Sequence, residues 1–598
     1  MSGPCFPDAT RESDLERVLA ILRPLALELG GPRALRAVAP TASLERDVGL
    51  GSLERVELLL RLETEFGREL PDRFLLLDTP RDIAQALTET VAMPPPRGAP
   101  RAAALPAVPV LPAASESPDD AATIYEALWR RALADCDRPH VYLYEPDGRV
   151  EEISYGRLWE EAARVAAGLG ERGVERGETV ALMLPTGMDF LRSFQGILVA
   201  GAVPVPLYPP VRLDRLEEYL VRQAGILGNA RARYLITIPD VMPVAQVLRK
   251  AVPALREIVT ADELARLRWP AGRARGAAGD PALVQYTSGS TGNPNGVLLT
   301  HANLLANIRA IAAAVELKPT DVAVSWLPLY HDMGLIASWL WCLYHGVPIA
   351  LMSPLSFLAR PERWLWAIHE RGATLSPAPN FAYELCVRKI PDTALEGLDL
   401  SSWRCALNGS EPVSPDTLDR FARRFARHGF RPEAFMPGYG LAESTVTLCL
   451  PPVGRGPVVD RVARVPCERN GRAEPAAPEN GTALRFVSVG SPLAGHEVRI
   501  VNQAGEELPE RVVGRLVFRG PSTMAGYFRN PEGTAAITLP GGWLDSGDLA
   551  YRSEGELYIT GRRKDLIIKG GRNLIPQEIE EVAGSVEGVR KGCVVAFG

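Results

Sequence analysis

A stretch rich in proline and alanine divides this 598-residue chain into two unequal parts. Residues 93–118 read MPPPRGAPRAAALPAVPVLPAASESP, and proline at this density removes backbone donors and cannot sustain a helix. Such a composition is typical of an exposed, semi-rigid linker. The chain is also too long for one hydrophobic core. It must therefore fold as several domains, with a boundary at residues 93–118.

The part before the linker is patterned as a small helical unit. Apolar residues recur at helical spacing over residues 13–29, 53–66 and 80–92, and Gly and Pro separate these segments. We therefore predict a small helical bundle over residues 1–92.

The part after the linker alternates between two patterns. Short apolar runs, such as residues 180–185 and 234–238, are followed by amphipathic helical segments such as residues 190–200. This alternation favours a parallel α/β architecture, which we assign to a large lobe over residues 119–561. Short strands and a helix-start pattern at residues 576–583 then predict the start of a small α+β C-terminal lobe over residues 562–598. Residue 598 falls within an apolar run, CVVAFG, so we expect this sequence to be a fragment.

Composition narrows the class of function. The chain has 66 Lys and Arg residues against 72 Asp and Glu residues, and no long block of like charge, which argues against a nucleic-acid surface. The most apolar run, residues 334–351, is interrupted by His345, Gly346 and Pro348, so we interpret it as a buried helix and strand rather than a transmembrane segment. Eight scattered cysteines with no C-x-x-C pair favour reduced thiols and a cytoplasmic location.

Residues 286–296, YTSGSTGNPNG, are typical of a phosphate-binding loop. Glycine allows close backbone approach, successive N–H groups make an anion site, and the hydroxyls add donors. The spacing is not that of a Walker A loop, and a solvent-exposed loop is the alternative. The candidate ligands of a nucleoside triphosphate are Thr287, Ser288, Gly289, Ser290, Thr291 and Gly292.

Five further motifs follow in order. They are WLPLYHDMGL (326–335), NGSEP (408–412), GYGLAEST (438–445), GWLDSGD (542–548) and GRRKDLIIKGGRN (561–573). Together with the loop, they resemble the core motifs of the adenylate-forming superfamily, which includes acyl-CoA synthetases and peptide-synthetase adenylation domains. The resemblance covers the chain from about residue 120 onward. It implies a large α/β lobe with a β-barrel-like subdomain, ATP and Mg²⁺ as cofactors, and activation of a carboxylic acid as its adenylate.

The resemblance also implies roles for individual residues. Glu443 holds Mg²⁺, His331 lines the approach of the carboxylate, and Lys564 occupies the hinge about which the small lobe turns before the thiol enters; these three are the candidate catalytic residues. Around the nucleoside, the resemblance implies contacts from Gly409, Ser410, Glu411, Tyr439, Gly440, Asp548 and Arg562. Tyr439 is expected against the adenine, opposite residues 409–411. Asp548 is expected to accept hydrogen bonds from the ribose hydroxyls, although an Asx-type turn is its alternative.

A further resemblance lies in the first unit. Residues 47–72, DVGLGSLERVELLLRLETEFGRELPD, resemble the acyl carrier protein motif, in which a serine at the start of a helix bears 4'-phosphopantetheine. Ser52 is that serine, and a helix N-terminus favours an attached phosphodiester. An unmodified N-cap serine is the alternative. The sequence departs from the families' usual pattern at Gly51, where aspartate is usual, and at Asn295, where the loop normally has lysine.

Several segments resemble the fatty acyl-AMP ligase branch, among them residues 351–365 and 376–386. We place at residues 457–482 the insertion that in those ligases restrains the small lobe and disfavours coenzyme A. The expected function is activation of a fatty acid and transfer of the acyl group to a carrier thiol, either on Ser52 or on a carrier of a downstream synthase. A phosphopantetheinyl transferase is then a partner. An acyl-CoA synthetase and a non-catalytic adenylate-binding or carrier scaffold are the alternatives.

Overall fold

The computed structural model describes most of the chain. The described residues are 8–44, 46–50, 52–68, 70, 74, 77–89, 120–145, 148–210, 216–266, 276–287, 294–569, 572–574, 576–584, 586, 589 and 594–597. The predicted linker, residues 93–118, lies outside them. So do Gly51 and the loop residues Ser288, Gly289, Ser290, Thr291 and Gly292.

The N-terminal unit is helical, in agreement with its apolar periodicity. Its helices are α1 (Asp8–Ala37), α2 (Ser52–Phe66) and α3 (Pro80–Glu89). The first helix is interrupted at Gly31, whose φ of 64° lies in the left-handed region that glycine tolerates best. Leu22, Leu62 and Leu87 are among the buried side chains of a hydrophobic core that the helices share. Arg55 donates to the Leu77 carbonyl and to Asp78, which connects α2 to the segment before α3.

The first half of the large lobe alternates strands and helices, as its sequence predicts. In chain order the elements are α4 (Ile124–Ala134), β1 (Pro139–Tyr144), β2 (Val150–Ser154), α5 (Tyr155–Glu171), β3 (Thr179–Met183), α6 (Met188–Val199), β4 (Val203–Leu207), α7 (Leu216–Ala230), β5 (Tyr234–Thr237), α8 (Met242–Ala251), β6 (Glu257–Thr260), α9 (Ala261–Leu264), β7 (Pro281–Thr287), β8 (Asn295–Thr300), α10 (His301–Ala314), β9 (Ala323–Ser325), α11 (Asp332–Gly334), α12 (Trp341–His345) and β10 (Ile349–Met352).

The remainder of the chain has more antiparallel pairing. Its elements are α13 (Pro354–Ala359), α14 (Glu362–Arg371), β11 (Leu375–Ala378), α15 (Asn380–Lys389), β12 (Cys405–Asn408), α16 (Pro415–Phe425), β13 (Phe435–Pro437), β14 (Cys449–Leu450), β15 (Val459–Val462), α17 (Arg464–Asn470), β16 (Leu484–Val487), β17 (Ser491–Pro492), β18 (Glu497–Val501), β19 (Gly514–Arg519), β20 (Gly526–Tyr527), α18 (Pro531–Ile537), β21 (Thr538–Leu539), β22 (Trp543–Ser553), β23 (Glu556–Arg562), β24 (Ile567–Lys569), β25 (Arg572–Leu574) and α19 (Pro576–Gly584).

Two predominantly parallel sheets form the centre of the large lobe. One has the strand order β13-β12-β11-β9-β10-β1-β2, in which only β2 is antiparallel to its neighbour, and the other has the order β4-β3-β5-β6. Strands β3, β4, β5 and β10 are fully buried, because helices cover both faces of a parallel sheet, whereas the edge strands β2 and β6 are partly exposed. The α/β prediction is confirmed.

The predicted barrel-like subdomain corresponds to antiparallel strands. A five-stranded sheet joins β18, β19, β22, β21 and β23, and shorter pairs form around it, such as β15 with β16. A closed barrel is not among the strand pairings of the described residues. After β23, the hairpin of β24 and β25 leads into α19, where the sequence predicts short strands and a helix.

The apolar run at residues 334–351 is buried, as predicted. It consists of a π-helical segment at Leu335–Leu340, then α12, which ends at Gly346 in the left-handed conformation, then the buried strand β10. Within the described ranges, no helix combines the length and the apolar character that crossing a bilayer requires.

Candidate functional site

The parallel strand order gathers three of the motifs at one edge of the seven-stranded sheet, and a fourth reaches the same edge from another sheet. The WLPLYHDMGL motif follows β9, NGSEP follows β12, and GYGLAEST follows β13. The carboxyl ends of parallel strands meet at the same edge, and this edge is the usual place for a ligand. The fourth motif, GWLDSGD, lies in β22 and reaches this edge through Asp548, which contacts Tyr439.

Tyr439, Asp548 and Arg562 form one polar group, joined by a hydrogen bond and an ion pair. The Tyr439 hydroxyl donates to Asp548 Oδ2 at 2.6 Å, and Arg562 Nε lies 3.4 Å from Asp548 Oδ1. Asp548 and Arg562 are direct partners in the β22–β23 ladder, so the antiparallel register positions the pair. Burial raises the pKa of Asp548, and the bond from Tyr439 acts in the opposite direction. The three residues that the sequence assigns near the ribose and adenine are therefore together.

Glu443 is the second acidic centre. It lies in a 3₁₀ turn, Ala442–Ser444, and Oε1 accepts a 2.7 Å hydrogen bond from the Tyr527 hydroxyl. Burial raises the pKa of Glu443, and the negative charges of Asp332 and Asp548 raise it further. In the described part of the chain Glu443 has no ion pair. Three carboxylates are thus close enough to interact, and Glu443 is the one whose charge has no basic partner among the described residues.

Two residues beside these groups have strained backbone. Ser410 has a φ of 68° and Thr445 a φ of 78°, in a region that side chains other than glycine rarely adopt. Such residues cluster at binding and catalytic sites, where the surrounding structure maintains the strain. Gly440 is required for a different reason, since a Cβ atom there would lie 1.8 Å from the Val446 carbonyl oxygen.

The segment after β12 lies between α11, α15 and the loop that follows β13. The Ser410 hydroxyl lies 2.9 Å from Met333 Sδ, and Glu411 Oε1 accepts a hydrogen bond from the Phe381 amide. A Cβ atom on Gly409 would lie only 3.0 Å from the Gly438 carbonyl oxygen, so glycine allows the two loops to approach each other. The predicted adenine wall therefore lies against the loop that contains Tyr439.

His331 lies at the start of α11 with an exposed side chain. Its Nδ1 lies 2.8 Å from Asp332 Oδ1, and the charge of Asp332 is the main reason why the pKa of His331 is raised. The Met333 amide also approaches Nδ1, at 3.4 Å, but has a closer acceptor in Asp332 Oδ1 at 2.7 Å. We therefore assign Nδ1 as the donor to Asp332.

The phosphate-loop motif is the connection of the β7–β8 hairpin. Thr287 is the last residue of β7 and pairs with Asn295, the first residue of β8. Asn295 Oδ1 accepts a 3.2 Å hydrogen bond from Asn530. The residue that departs from the family pattern thus contacts the segment after β20.

Two predicted residues lie outside this cluster. Lys564 is exposed in the turn after β23, and no hydrogen bond or ion pair is found for it within the described ranges. Ser52 is the first residue of α2, as the carrier motif predicts.

Sequence reasoning missed the residues that position Glu443 and His331. Tyr527 bonds Glu443 from β20, 84 positions away in the chain, and no spacing rule connects the two. Asp332 follows His331 directly, and an acidic residue beside a candidate catalytic histidine is a signal that could have identified it.

The comparisons with known proteins agree with this geometry. Residues 128–528 match the family of AMP-binding enzymes, and residues 26–87 match the phosphopantetheine attachment site. A Caulobacter vibrioides protein, provisionally named an acyl-CoA synthetase, is 38% identical over 463 residues, which cover 76% of this chain and 80% of that protein. The medium-chain-fatty-acid–[acyl-carrier-protein] ligase JamA of Moorena producens is 35% identical over 473 residues, covering 76% of this chain and 78% of JamA.

Solved structures of adenylate-forming enzymes also match this chain. A structure from a study of the fatty acyl-adenylate ligases of E. coli and L. pneumophila has a TM-score of 0.75 and 36% identity to this chain. The match covers 78% of this chain and 84% of that one.

Adenylate-forming enzymes use ATP and Mg²⁺, and the residues present fit that pair. A carboxylate such as Glu443 offers the oxygen ligands that Mg²⁺ prefers, and a bound cation would offset the burial and the like-charge repulsion that raise its pKa. Among the described residues no cluster of three or more His, Cys, Asp or Glu side chains could hold a metal. One carboxylate plus nucleotide phosphates is a common way to bind Mg²⁺.

The attachment-site match includes Ser52, and domains of that family carry 4'-phosphopantetheine on a serine. The start of α2 at Ser52 provides the helix N-terminus that favours a phosphodiester. On the motifs, the clustered carboxylates and the extent of the matches, this chain belongs to the family of AMP-binding enzymes and carries a phosphopantetheine-binding domain in front of the enzyme.

Proposed function

We propose that this protein is a fatty acyl-AMP ligase that activates a fatty acid with ATP and transfers the acyl group to the phosphopantetheine thiol on its own Ser52. JamA is named as a ligase that joins a medium-chain fatty acid to an acyl carrier protein, and the similar solved structure is of a fatty acyl-adenylate ligase. A carrier and an adenylating enzyme occur here in one chain. Tethering raises the effective concentration of a thiol, typically to millimolar for short flexible links.

The observation that carries the proposal is the proximity of two buried acidic centres whose charges interact. Glu443 and Asp548 are each held by a tyrosine hydroxyl, and each has a raised pKa because it is buried. Asp548, with Arg562 and Tyr439, suits a ribose and its base. Glu443 suits the metal-bound phosphates. A nucleoside triphosphate satisfies both centres at once.

In the first half-reaction the fatty carboxylate attacks the α-phosphorus of ATP. A P–O bond forms to the carboxylate, the bond to the β-phosphate breaks, and pyrophosphate leaves. Mg²⁺, when bound, neutralises phosphate charge and so reduces the repulsion between the two anions. We propose that Thr287, Ser288, Gly289, Ser290, Thr291 and Gly292 hold the leaving phosphates, and that His331, which Asp332 helps to keep protonated, faces the incoming carboxylate.

In the second half-reaction the thiol loses its proton to solvent and its sulfur attacks the acyl carbonyl carbon. A C–S bond forms, the C–O bond to the phosphate breaks, and AMP leaves with both bonding electrons. Gly409, Ser410, Glu411 and Gly440 retain the nucleoside during this exchange in our proposal. Lys564, exposed in the turn after β23, is the proposed hinge of the small lobe.

The test is direct. The pantetheinylated protein is incubated with ATP, Mg²⁺ and fatty acids of graded length, and the products are measured by mass spectrometry. We expect acyl-adenylate in solution and an acyl group on the phosphopantetheine of the Ser52 peptide. Absence of acyl-adenylate with every acid would overturn the proposal. Formation of acyl-adenylate without an acyl group on Ser52 would support the ligase activity but reject loading in cis.

One alternative has a specific observation in its favour. The Caulobacter relative carries the provisional name of an acyl-CoA synthetase. Adding free coenzyme A to the same reaction distinguishes the two activities, because a synthetase acylates it rapidly whereas our proposal expects little acyl-CoA.

The proposal includes the setting of the enzyme. We propose domain boundaries at residues 92/93, 118/119 and 561/562. The scattered cysteines and the use of ATP support a cytoplasmic location. A phosphopantetheinyl transferase is required to modify Ser52, and a downstream synthase would consume the acyl-carrier product.

A further inference from the structure

The carrier unit packs directly on the large lobe through one short helix. Ala359 of α13 is only 4% exposed and belongs to the same hydrophobic cluster as the carrier core, and Leu355 packs against that cluster. The helix that faces them is α2, the helix that begins at Ser52. Leu355 and Ala359 are four residues apart and so share one face of α13. The carrier covers that apolar face.

Two ion pairs border the apolar contact. Arg360, the residue after α13, pairs with Glu63 of α2, and both side chains are largely buried, at 13% and 11% exposure. Lys389, the last residue of α15, lies 3.7 Å from Glu57 of α2. In both pairs the carrier contributes the acid and the lobe the base.

Glu57 and Glu63 also accept hydrogen bonds from within the carrier. Glu57 Oε1 accepts a hydrogen bond from Arg61, which leaves Oε2 to face Lys389. Glu63 Oε1 accepts from the Leu70 amide at 2.7 Å. The carrier therefore presents preorganised carboxylates, which reduces the entropy cost of docking.

The contact lies along α2 at a distance from its first residue. Glu57 and Glu63 are five and eleven positions after Ser52, which corresponds to about 8 Å and 16 Å along a helix axis. The large lobe thus contacts α2 on the C-terminal side of Ser52, the attachment serine.

The other face of α13 connects to the wall of the nucleotide site. Phe357 is fully buried and stacks on Trp326, with ring centroids 3.9 Å apart. Trp326 in turn packs edge-on against Phe381, whose amide donates to Glu411. Only two ring contacts therefore separate the docking helix from the segment assigned to the adenine.

We propose that α13, Arg360 and Lys389 form a docking surface for the acidic face of α2, and that this surface recruits the chain's own carrier for acyl loading. The surface sets a preference for the carrier in cis, because its apolar face and both its cations are matched by this carrier. The inference rests on the proposed function, since docking is assigned to the transfer step. The contact itself is independent of the chemistry.

The test compares four forms of the full-length pantetheinylated protein. They are the unchanged protein, Arg360→Glu, the swapped pair Glu63→Arg with Arg360→Glu, and the control Arg388→Glu. Arg360 is the position to change because the carrier's own bonds, including that of Glu63 to Leu70, stay intact. Arg388 is the exposed neighbour of Lys389, and no ion pair is found for it within the described ranges.

Three readouts are taken from each form: hydrogen exchange of the α2 and α13 peptides, pyrophosphate release, and acyl mass on the Ser52 peptide. For Arg360→Glu we expect faster exchange in both peptides, unchanged pyrophosphate release and loading of Ser52 slowed at least about tenfold, because a desolvated charge pair is lost. The control should match the unchanged protein. Partial recovery in the swapped pair would support the direct contact.

The outcomes separate this inference from the proposed function. Unchanged exchange and unchanged loading in Arg360→Glu would overturn the docking surface while leaving the ligase intact. Faster exchange with unchanged loading would also overturn it, because the contact would then play no part in transfer. If the unchanged protein forms no acyl-adenylate, the proposed function is rejected. The contact is then tested by hydrogen exchange alone, and equal exchange of the α2 and α13 peptides in the unchanged protein and in Arg360→Glu would reject it.

Discussion

At the residue scale, hydrogen bonds made by two tyrosines organise the site. Tyr439 and Tyr527 each donate to a buried carboxylate, and each bond favours the ionised form of its partner against the effect of burial. The motifs contain both acids and Tyr439. Tyr527 comes from β20, which neighbours the phosphate-loop hairpin in the three-stranded sheet.

Replacement of Glu443 by glutamine tests its assignment as the metal ligand. The amide keeps the shape of the side chain and can remain hydrogen-bonded to Tyr527, but it loses the charge. We expect adenylate formation, measured as pyrophosphate release, to fall at least about 100-fold, the scale seen when one electrostatic contact to a transition state is removed. The Mg²⁺ concentration for half-maximal rate should rise as well. A rate within a factor of two of the original would contradict the assignment.

Replacement of Tyr527 by phenylalanine tests the electrostatics. The Tyr527 bond lowers the pKa of Glu443, whereas burial raises it. Without the bond, the pKa of Glu443 should be higher still, so the carboxylate becomes protonated at a higher pH. We expect the acid limb of the pH–rate profile for adenylation to move to higher pH. Near pH 8 the adenylation rate should differ less from that of the unchanged protein. An acid limb that stays in place or moves to lower pH would show that Glu443 does not control it.

Glycine at position 440 is a residue-scale requirement that stability measurements can check. A Cβ atom would lie 1.8 Å from the Val446 carbonyl oxygen, so Gly440→Ala must displace the backbone. We expect a loss of about 2–4 kcal/mol in the free energy of unfolding, measured by denaturant titration. The matched control is Gly225→Ala, which lies exposed inside α7 with open space around it and should gain up to about 1 kcal/mol from helix propensity.

At the element scale, periodicity predicts the regular elements well and the irregular contacts poorly. The apolar runs at 180–185 and 234–238 correspond to β3 and β5, and the helical pattern at 190–200 corresponds to α6. The first carrier helix is kinked at Gly31, close to the predicted end at residue 29, and a second helical segment after the kink, up to Ala37, was not predicted. Neither the π-helical segment at Leu335–Leu340 nor the partners of β21 and β23 could be predicted, since those depend on long-range packing.

The segment at residues 457–482, interpreted as an insertion, contacts the start of the small lobe. It forms β15 and α17, and Glu468 of α17, with only 2% of its side chain exposed, pairs with Arg572 of β25. Glu468→Ala should release that strand. We expect faster hydrogen exchange in residues 572–584 and a rise in acylation of free coenzyme A, measured by mass spectrometry. Faster exchange without a rise in acyl-CoA would reject a role of this contact in thiol selection.

At the scale of the whole molecule, two hydrophobic cores meet at a narrow contact. The carrier core and the central core of the large lobe are separate clusters, and Ala359 is the lobe residue included in the carrier cluster. Separate cores tend to unfold separately. We expect at least two calorimetric transitions. Leu58→Ala creates a cavity in the carrier core and should lower the free energy of unfolding of the carrier by about 2–4 kcal/mol, so only one transition should move to lower temperature. A single transition that shifts as a whole would show that the cores are coupled.

The sequence by itself determined the local properties of this protein. Helix and strand periods, the glycine- and hydroxyl-rich loop, the ordered motifs and the serine before an amphipathic helix depend on neighbouring residues, so they can be interpreted without coordinates. The tertiary structure decided which groups meet across tens to hundreds of positions: Tyr439 with Asp548, Tyr527 with Glu443, and Glu63 with Arg360. These pairings follow from strand order and domain packing. Both depend on the free energy of the whole chain, so the spacing of residues along the sequence does not predict them.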